Sequence, residues 1–386
     1  MSEFDSIRPY NDDEVLETIN RLLQDKEFID SISKFKLPKL GKIVPGISSG
    51  MVRKSLSKQL KGVDSIRKFQ DVISIYVQSI IDNSSTGISE SGLSSLDKNK
   101  SYLFISNHRD IVLDPALVNY LLHKKDHNTA EIAIGDNLLM KPFVSDLMRL
   151  NKSFIVDRSS QGREKLLSTK LLSKYINQSI KEGRNIWIAQ KEGRAKDGID
   201  FTDPAILKMF HLDKRNQDRN AELKDTINDL NIVPVSISYE FDPCDSDKAI
   251  ELFEKNVNGS FEKSEKSDLI SISKGIQGFK GQMHVSFGNE IKASDSDPDT
   301  IAKQIDEQII SNYKLYHTNY LAYELIQQED PSVGPTLAEL NIDIQNIDSY
   351  RKEFNERLIS VGKEMRSYFL KMYAAPMINH INLLIS

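Results

Sequence analysis

Tyr102-Leu103-Phe104-Ile105-Ser106-Asn107-His108-Arg109-Asp110-Ile111-Val112-Leu113-Asp114-Pro115 is a strand-sized apolar run that breaks into ionisable residues and then into a helix signal. Asp-Pro is a favourable helix opening, with aspartate as N-cap and proline in the first position. The stretch therefore reads strand, turn, helix. Its turn holds a histidine, an arginine and two aspartates. A histidine just past a strand, with a carboxylate close behind, has the layout of an oriented general base. The carboxylate accepts from one ring nitrogen, fixes the tautomer and stabilises the imidazolium formed when the other nitrogen takes a proton. Either Asp114 orients His108, the reading favoured here, or Asp114 only caps the helix and Asp110 orients the ring.

Outward from this stretch the same alternation continues. Short β-rich runs near 101–106, 129–134, 153–157, 185–190, 232–239 and 282–287 alternate with helical patterns near 115–124, 138–150, 162–182 and 203–214. That order predicts an α/β fold, a mostly parallel sheet covered by helices. Residues 13–33 and about 50–82 have helical spacing, so 1–95 reads as a helical N-terminal unit ahead of an α/β domain over 96–330. A polar excursion over 241–280 contains a helix near 247–256, and a single long helix is expected from about 299 to 328. Residues 331–386 read as a helical C-terminal extension.

His108-Arg109-Asp110 also copies the start of a protein-kinase catalytic loop, in which an asparagine five residues past the aspartate holds a metal. That position is Pro115, and the Gly-rich loop, strand lysine and Asp-Phe-Gly are missing. The later runs fit another pattern. Leu150-Asn151-Lys152-Ser153-Phe154-Ile155-Val156-Asp157-Arg158-Ser159 is strand-like and reaches an arginine. Asn185-Ile186-Trp187-Ile188-Ala189-Gln190 leads into Lys191-Glu192-Gly193-Arg194. Asn231 to Glu240 is apolar with Pro234 inside it. In order and character these resemble the four blocks of the glycerolipid acyltransferases, which include glycerol-3-phosphate and 1-acylglycerol-3-phosphate (lysophosphatidate) acyltransferases. The resemblance covers roughly residues 98 to 245 and more weakly extends to about 325. It departs in two places. The family's aspartate falls five residues after the histidine, where Leu113 stands, with Asp114 one residue later. Asp157 stands where the family often has a basic residue.

The resemblance implies an α/β enzyme that moves a fatty acyl group from an acyl thioester to glycerol-3-phosphate in phospholipid synthesis. The alternatives are lysophosphatidate as acceptor, or a lipid- or acyl-carrier-binding protein without catalysis. It makes His108 the base and Asp114 its orienter, with Arg109, Arg158, Glu192, Gly193 and Arg194 at the acceptor and its phosphate. Arginine suits that task because its planar fork binds phosphate oxygens bidentately. Backbone amides beyond the Glu-Gly-Arg turn would serve the oxyanion. No metal or cofactor is expected; acyl-coenzyme A or acyl carrier protein enters as co-substrate.

Composition is that of an ordinary globular chain of 386 residues, 39% hydrophobic and 28% charged, with a formal net charge of −5. That balance, with no basic stripe interleaved with aromatics, argues against nucleic acid as a partner. Cys244 is the lone cysteine, so no disulfide framework or cysteine metal cluster is expected, and a reducing cytoplasm is the natural setting. No secretory signal or bilayer-spanning apolar run is visible. A chain that handles lipid would then be peripheral, on the inner face of the membrane. Arg53, Lys54, Lys58, Lys61, Arg67 and Lys68, interleaved with Met51, Val52, Leu56, Leu60, Val63 and Ile66, form either an interfacial surface for anionic lipid or a solvated helix face.

Overall fold

A computed structural model describes residues 3–36, 45–262, 267–342 and 347–385. The helices α1 (Asp12–Gln24), α2 (Lys26–Lys36), α3 (Pro45–Gln59) and α4 (Ile66–Ser84) come first. They are followed by β1 (Gly87–Ser91), β2 (Leu103–Ser106), α5 (Leu113–Lys124), β3 (Glu131–Gly135), α6 (Pro142–Leu150), β4 (Ser153–Val156), α7 (Gly162–Lys181) and β5 (Ile186–Ala189). Then come α8 (Pro204–Gln217), α9 (Leu223–Asp229), β6 (Ile232–Tyr239), α10 (Asp245–Asn258), α11 (Ser267–Gln277) and β7 (Gln282–Phe287). The chain ends with α12 (Pro298–Ser311), α13 (His317–Glu329), α14 (Ile347–Ser360) and α15 (Arg366–Ile385). Two compact units result. The first joins Met1–Gln78 to Ala130–Tyr175, and the second joins Ser79–Thr129 to Ile176–Ser386.

In the first unit the helical spacing of α1 to α3 turns Val15, Ile19, Leu22, Phe28, Ile29, Val52 and Leu56 into one core with Phe69 and Leu150. Arg21 pairs with Asp146 at 2.8 Å and ties α1 to α6. Strands β3 and β4 pair in parallel from Ile132↔Ser153 to Gly135↔Val156.

The second unit holds the strand order β1-β7-β6-β2-β5. All pairings there are parallel except β6 with β7. Every residue of β2 and β6 is buried, as expected of central strands covered on both faces, which read as continuous apolar runs. Pro234 is tolerated inside β6 because pairing with β7 begins one residue later, at Val235↔Phe287, so its missing N–H leaves that ladder intact. The carboxyl ends of β2, β5 and β6 lie along one edge, where open α/β sheets collect their ligands. Helices α13 to α15 enclose a separate core around Phe354, Phe369 and Tyr373.

Two local expectations are corrected. The N-terminal stretch read as a helical unit also contains β1, an edge strand on β7, and its five residues are too short and polar to signal themselves. The single helix over 299–328 is two. It stops at Ser311 because the Lys314 N–H donates to Ser238 Oγ, and α13 restarts where the Tyr316 N–H donates to Asn319 Oδ1.

Candidate active site

His108 leaves the end of β2 with its ring at 5.7 Å, edge-on, from the indole of Trp187 on β5. Its Nδ1 lies 2.8 Å from Asp114 Oδ2. That oxygen also accepts the backbone N–H groups of Arg109 (2.6 Å) and Asp110 (2.9 Å). An oxygen already accepting two amides accepts from the ring as well, so Nδ1 is the donor in this contact, and in the neutral ring the lone pair sits on Nε2. Tyr239 donates its hydroxyl to Asp114 Oδ1 at 2.8 Å. Burial, with Asp114 and Asp110 nearby, holds the Tyr239 hydroxyl well above the usual phenol range, so it remains a donor.

Asp114 does not cap the helix. It is the second residue of α5, whose N-cap position is Val112. The turn is closed by Asp110, whose Oδ1 accepts the N–H groups of Val112 (2.9 Å) and Leu113 (2.8 Å). Asp110 thus takes the capping role expected of Asp114 from the Asp-Pro pair, which leaves Asp114 to face back toward the ring. Burial and the Asp114 charge raise Asp110 above the ordinary aspartate range. A methyl group added at Gly275 would fall 2.1 Å from Asp110 Oδ2, so glycine is what lets α11 pass over this turn.

Asn107 explains how the turn is anchored. Its Oδ1 accepts the N–H of Ile237 (2.8 Å) and its Nδ2 donates to the Ile237 carbonyl (3.0 Å), so the side chain extends the ladder where β2 has ended. Arg109 is buried rather than offered to a ligand. Its guanidinium meets Asp200 at 2.5 Å and covers the ring of Tyr313 at 5.7 Å. Burial disfavours that charge, but Asp200, Tyr313 and Asp242 more than offset it, and Arg109 stays protonated. The acceptor contact expected of Arg109 is therefore replaced by an internal ion pair.

The loop after β5 is fastened to the histidine by the Ala195 N–H, which donates to the His108 carbonyl at 2.9 Å. That amide, the one directly beyond the Glu-Gly-Arg turn, is thereby committed. The Gly193 and Arg194 N–H groups have no partner among the described residues. Gly193 has φ +80 with open space where a Cβ would stand, and Glu192 is exposed. Arg194 is half-buried, forms no ion pair with a described residue and lines a cavity of about 200 Å³ with Cys244, Asp247, Lys248, Glu251 and Ile270. Lys248 in the wall donates to the Arg109 carbonyl at 2.8 Å and pairs with Asp242. Burial pushes the Cys244 thiol up to about 12, which disfavours the thiolate form. Among the described residues no cluster of three or more His, Cys, Asp or Glu is placed to hold a metal.

Arg158 belongs to the first unit, just past β4. Its N–H donates to Asp136 at 3.1 Å and its side chain lies over Gly135. The neighbouring Asp157 is held below the usual carboxylate range, chiefly by hydrogen bonds from Ser160, so a fixed negative charge accompanies this arginine. The sheet edge of the second unit thus brings together His108, Asp114, Arg109 and the 192–194 turn. Tyr239, Asn107, Trp187 and Asp200 were not anticipated as parts of the site. Tyr239 and Trp187 lie inside the apolar runs already singled out, and their positions on those strands are the only signal they give.

The carboxyl edge of an α/β sheet thus carries a histidine whose ring is fixed by a buried carboxylate, the arrangement of an oriented base. Residues 87–238 match the family model described as Acyltransferase. No curated protein matches it. Among solved structures it is similar to the crystal structure of the 1-acyl-sn-glycerophosphate (LPA) acyltransferase, PlsC, from Thermotoga maritima. The identity is 12%, with 72% of this chain and 91% of that chain covered and a TM-score of 0.38. Among the described residues no helix is long and apolar enough to cross a membrane.

Proposed function

We propose that this protein moves a fatty acyl group from an acyl thioester, of coenzyme A or acyl carrier protein, to a hydroxyl of glycerol-3-phosphate. Lysophosphatidate is the second acceptor to consider. The observation that carries the reading is the 2.8 Å contact between His108 Nδ1 and the wholly buried Asp114, which leaves Nε2 as the base. Nε2 takes the acceptor's hydroxyl proton as its oxygen attacks the thioester carbonyl. The tetrahedral oxyanion is met by the Gly193 and Arg194 amides. Collapse expels the thiolate, which recovers the proton from the imidazolium and leaves an ester and a free thiol. Arg194, a cation without a carboxylate partner among the described residues, binds the acceptor phosphate.

The first-block aspartate, displaced by one residue, still meets the ring, which supports catalysis over a binding-only role. The test is free-thiol release from palmitoyl-coenzyme A and palmitoyl-acyl carrier protein. Each donor is run without acceptor, with glycerol-3-phosphate and with lysophosphatidate, and the esterified product is identified. Release that depends on glycerol-3-phosphate and disappears in His108→Ala is expected. Release without any acceptor would instead assign a thioester hydrolase, and dependence on lysophosphatidate alone would replace the acceptor.

A further inference from the structure

Helix α3 carries apolar residues on two faces. Val52 and Leu56 are buried in the core of the first unit. On the opposite side Ile47 and Met51 are 60% and 54% exposed. Lys54 and Lys58 continue their stripe, because positions 47, 51, 54 and 58 follow helical spacing. Arg53 flanks the stripe and Lys61 follows in the next turn. The helix contains no acidic residue. Arg53, Lys54, Lys58 and Lys61 are exposed and form no ion pair with a described residue. Arg67 and Lys68, grouped with them in the sequence, differ: they sit on α4 and pair with Asp71 at 4.0 Å and Asp64 at 2.8 Å.

A solvated helix face ordinarily balances its charges with i, i+4 carboxylates, as α4 does, and exposes few large apolar side chains. The outer face of α3 does neither, within a chain of net charge −5. We propose that this face docks on an anionic phospholipid bilayer. Ile47 and Met51 enter the interface, and Arg53, Lys54, Lys58 and Lys61 meet lipid phosphates. Exposed apolar side chains within the basic stripe favour a lipid surface, since a purely ionic partner would leave them in water. The proposal does not depend on the acyl-transfer reading, because α3 holds none of the residues assigned to chemistry.

The experiment is co-sedimentation of the full chain with vesicles of phosphatidylglycerol and phosphatidylcholine, beside pure phosphatidylcholine, at low and high salt. Binding to the anionic vesicles that weakens with salt is expected. Each cation near such a surface contributes about fivefold. Lys54→Glu with Lys58→Glu should therefore lower partitioning by roughly 25-fold or more. Ile47→Ser with Met51→Ser should weaken it at all salt concentrations while leaving thiol release from soluble substrates unchanged. All four side chains are exposed, and a thermal melt checks that the variants fold. Failure of the wild type to bind, equal binding to neutral vesicles, or undiminished binding by either variant would overturn the proposal. So would a dimer, formed without vesicles, that Ile47→Ser with Met51→Ser dissociates, because the face would then belong to a second copy.

Discussion

Asp114 accepts four hydrogen bonds, three on Oδ2 and one on Oδ1, and these fix the plane of the carboxylate and through it the ring of His108. The Tyr239 hydroxyl is the only one of the four donors that can be deleted without touching the turn or the histidine. A hydrogen bond to a charged group is worth roughly 1.5–3 kcal/mol, and part of that is felt in the transition state. Tyr239→Phe should lower kcat by about tenfold. It also concentrates the carboxylate's charge on the imidazolium, so the acid limb of the pH–rate profile should move to higher pH. A steady-state profile checks both effects, and a fall in kcat with an unmoved acid limb would reduce Tyr239 to a packing residue. At this scale the histidine and its two nearby aspartates were legible from residue type and spacing. Which aspartate meets the ring was not, because that depends on the Asp110 side chain closing the turn. Tyr239 was invisible for another reason, since 125 residues separate it from Asp114.

Most elements announce themselves through period, because a strand buried on both faces and a helix with one apolar stripe leave different marks. The break between α12 and α13 leaves none. Tyr313, Tyr316, Tyr320 and Tyr323 keep helical spacing across it and neither glycine nor proline interrupts them, so only the tertiary bond to Ser238 reveals it. Helix α12 also fastens the loop that follows the 192–194 turn. Asp306 Oδ1 accepts the Thr202 N–H at 2.8 Å and the Thr202 hydroxyl at 2.6 Å. Burial, despite those donors, raises Asp306 from 3.8 to about 6. The sign follows from linkage: below the unfolded value both states are protonated, and above about 6 the fold must hold a buried charge. The stability due to this group is thus complete below pH 3.8 and is lost as pH rises through about 6. Asparagine keeps the accepting oxygen without the charge. Asp306→Asn should therefore gain up to roughly 3 kcal/mol over wild type at pH 8 and little at pH 4. Urea titrations at the two pH values measure this, and a variant destabilised equally at both would contradict it.

At the level of the whole chain, period along the sequence divides it in order into an N-terminal helical unit, an α/β domain and a C-terminal extension. Compactness instead interleaves the segments, grouping 130–175 with the N-terminal helices and the remaining strands with the C-terminal helices. Period tells which face of a helix is apolar but not which apolar face it will meet, so this grouping could not be read from spacing. The mostly parallel sheet could be, because strand and helix alternate along the chain. The segment that matches the Acyltransferase family model, 87–238, runs through both units, and its histidine, aspartate and Glu-Gly-Arg turn lie in the second. The most direct test of the account is the acceptor-dependent rate of Asp114→Asn beside His108→Ala. If Asp114 fixes the tautomer of the base, Asp114→Asn should fold, bind acceptor as the wild type does, and lose on the order of 10³–10⁴ in kcat, close to the loss in His108→Ala. An Asp114→Asn enzyme that retains most of its acceptor-dependent thiol release would contradict the assignment of the pair as the catalytic base.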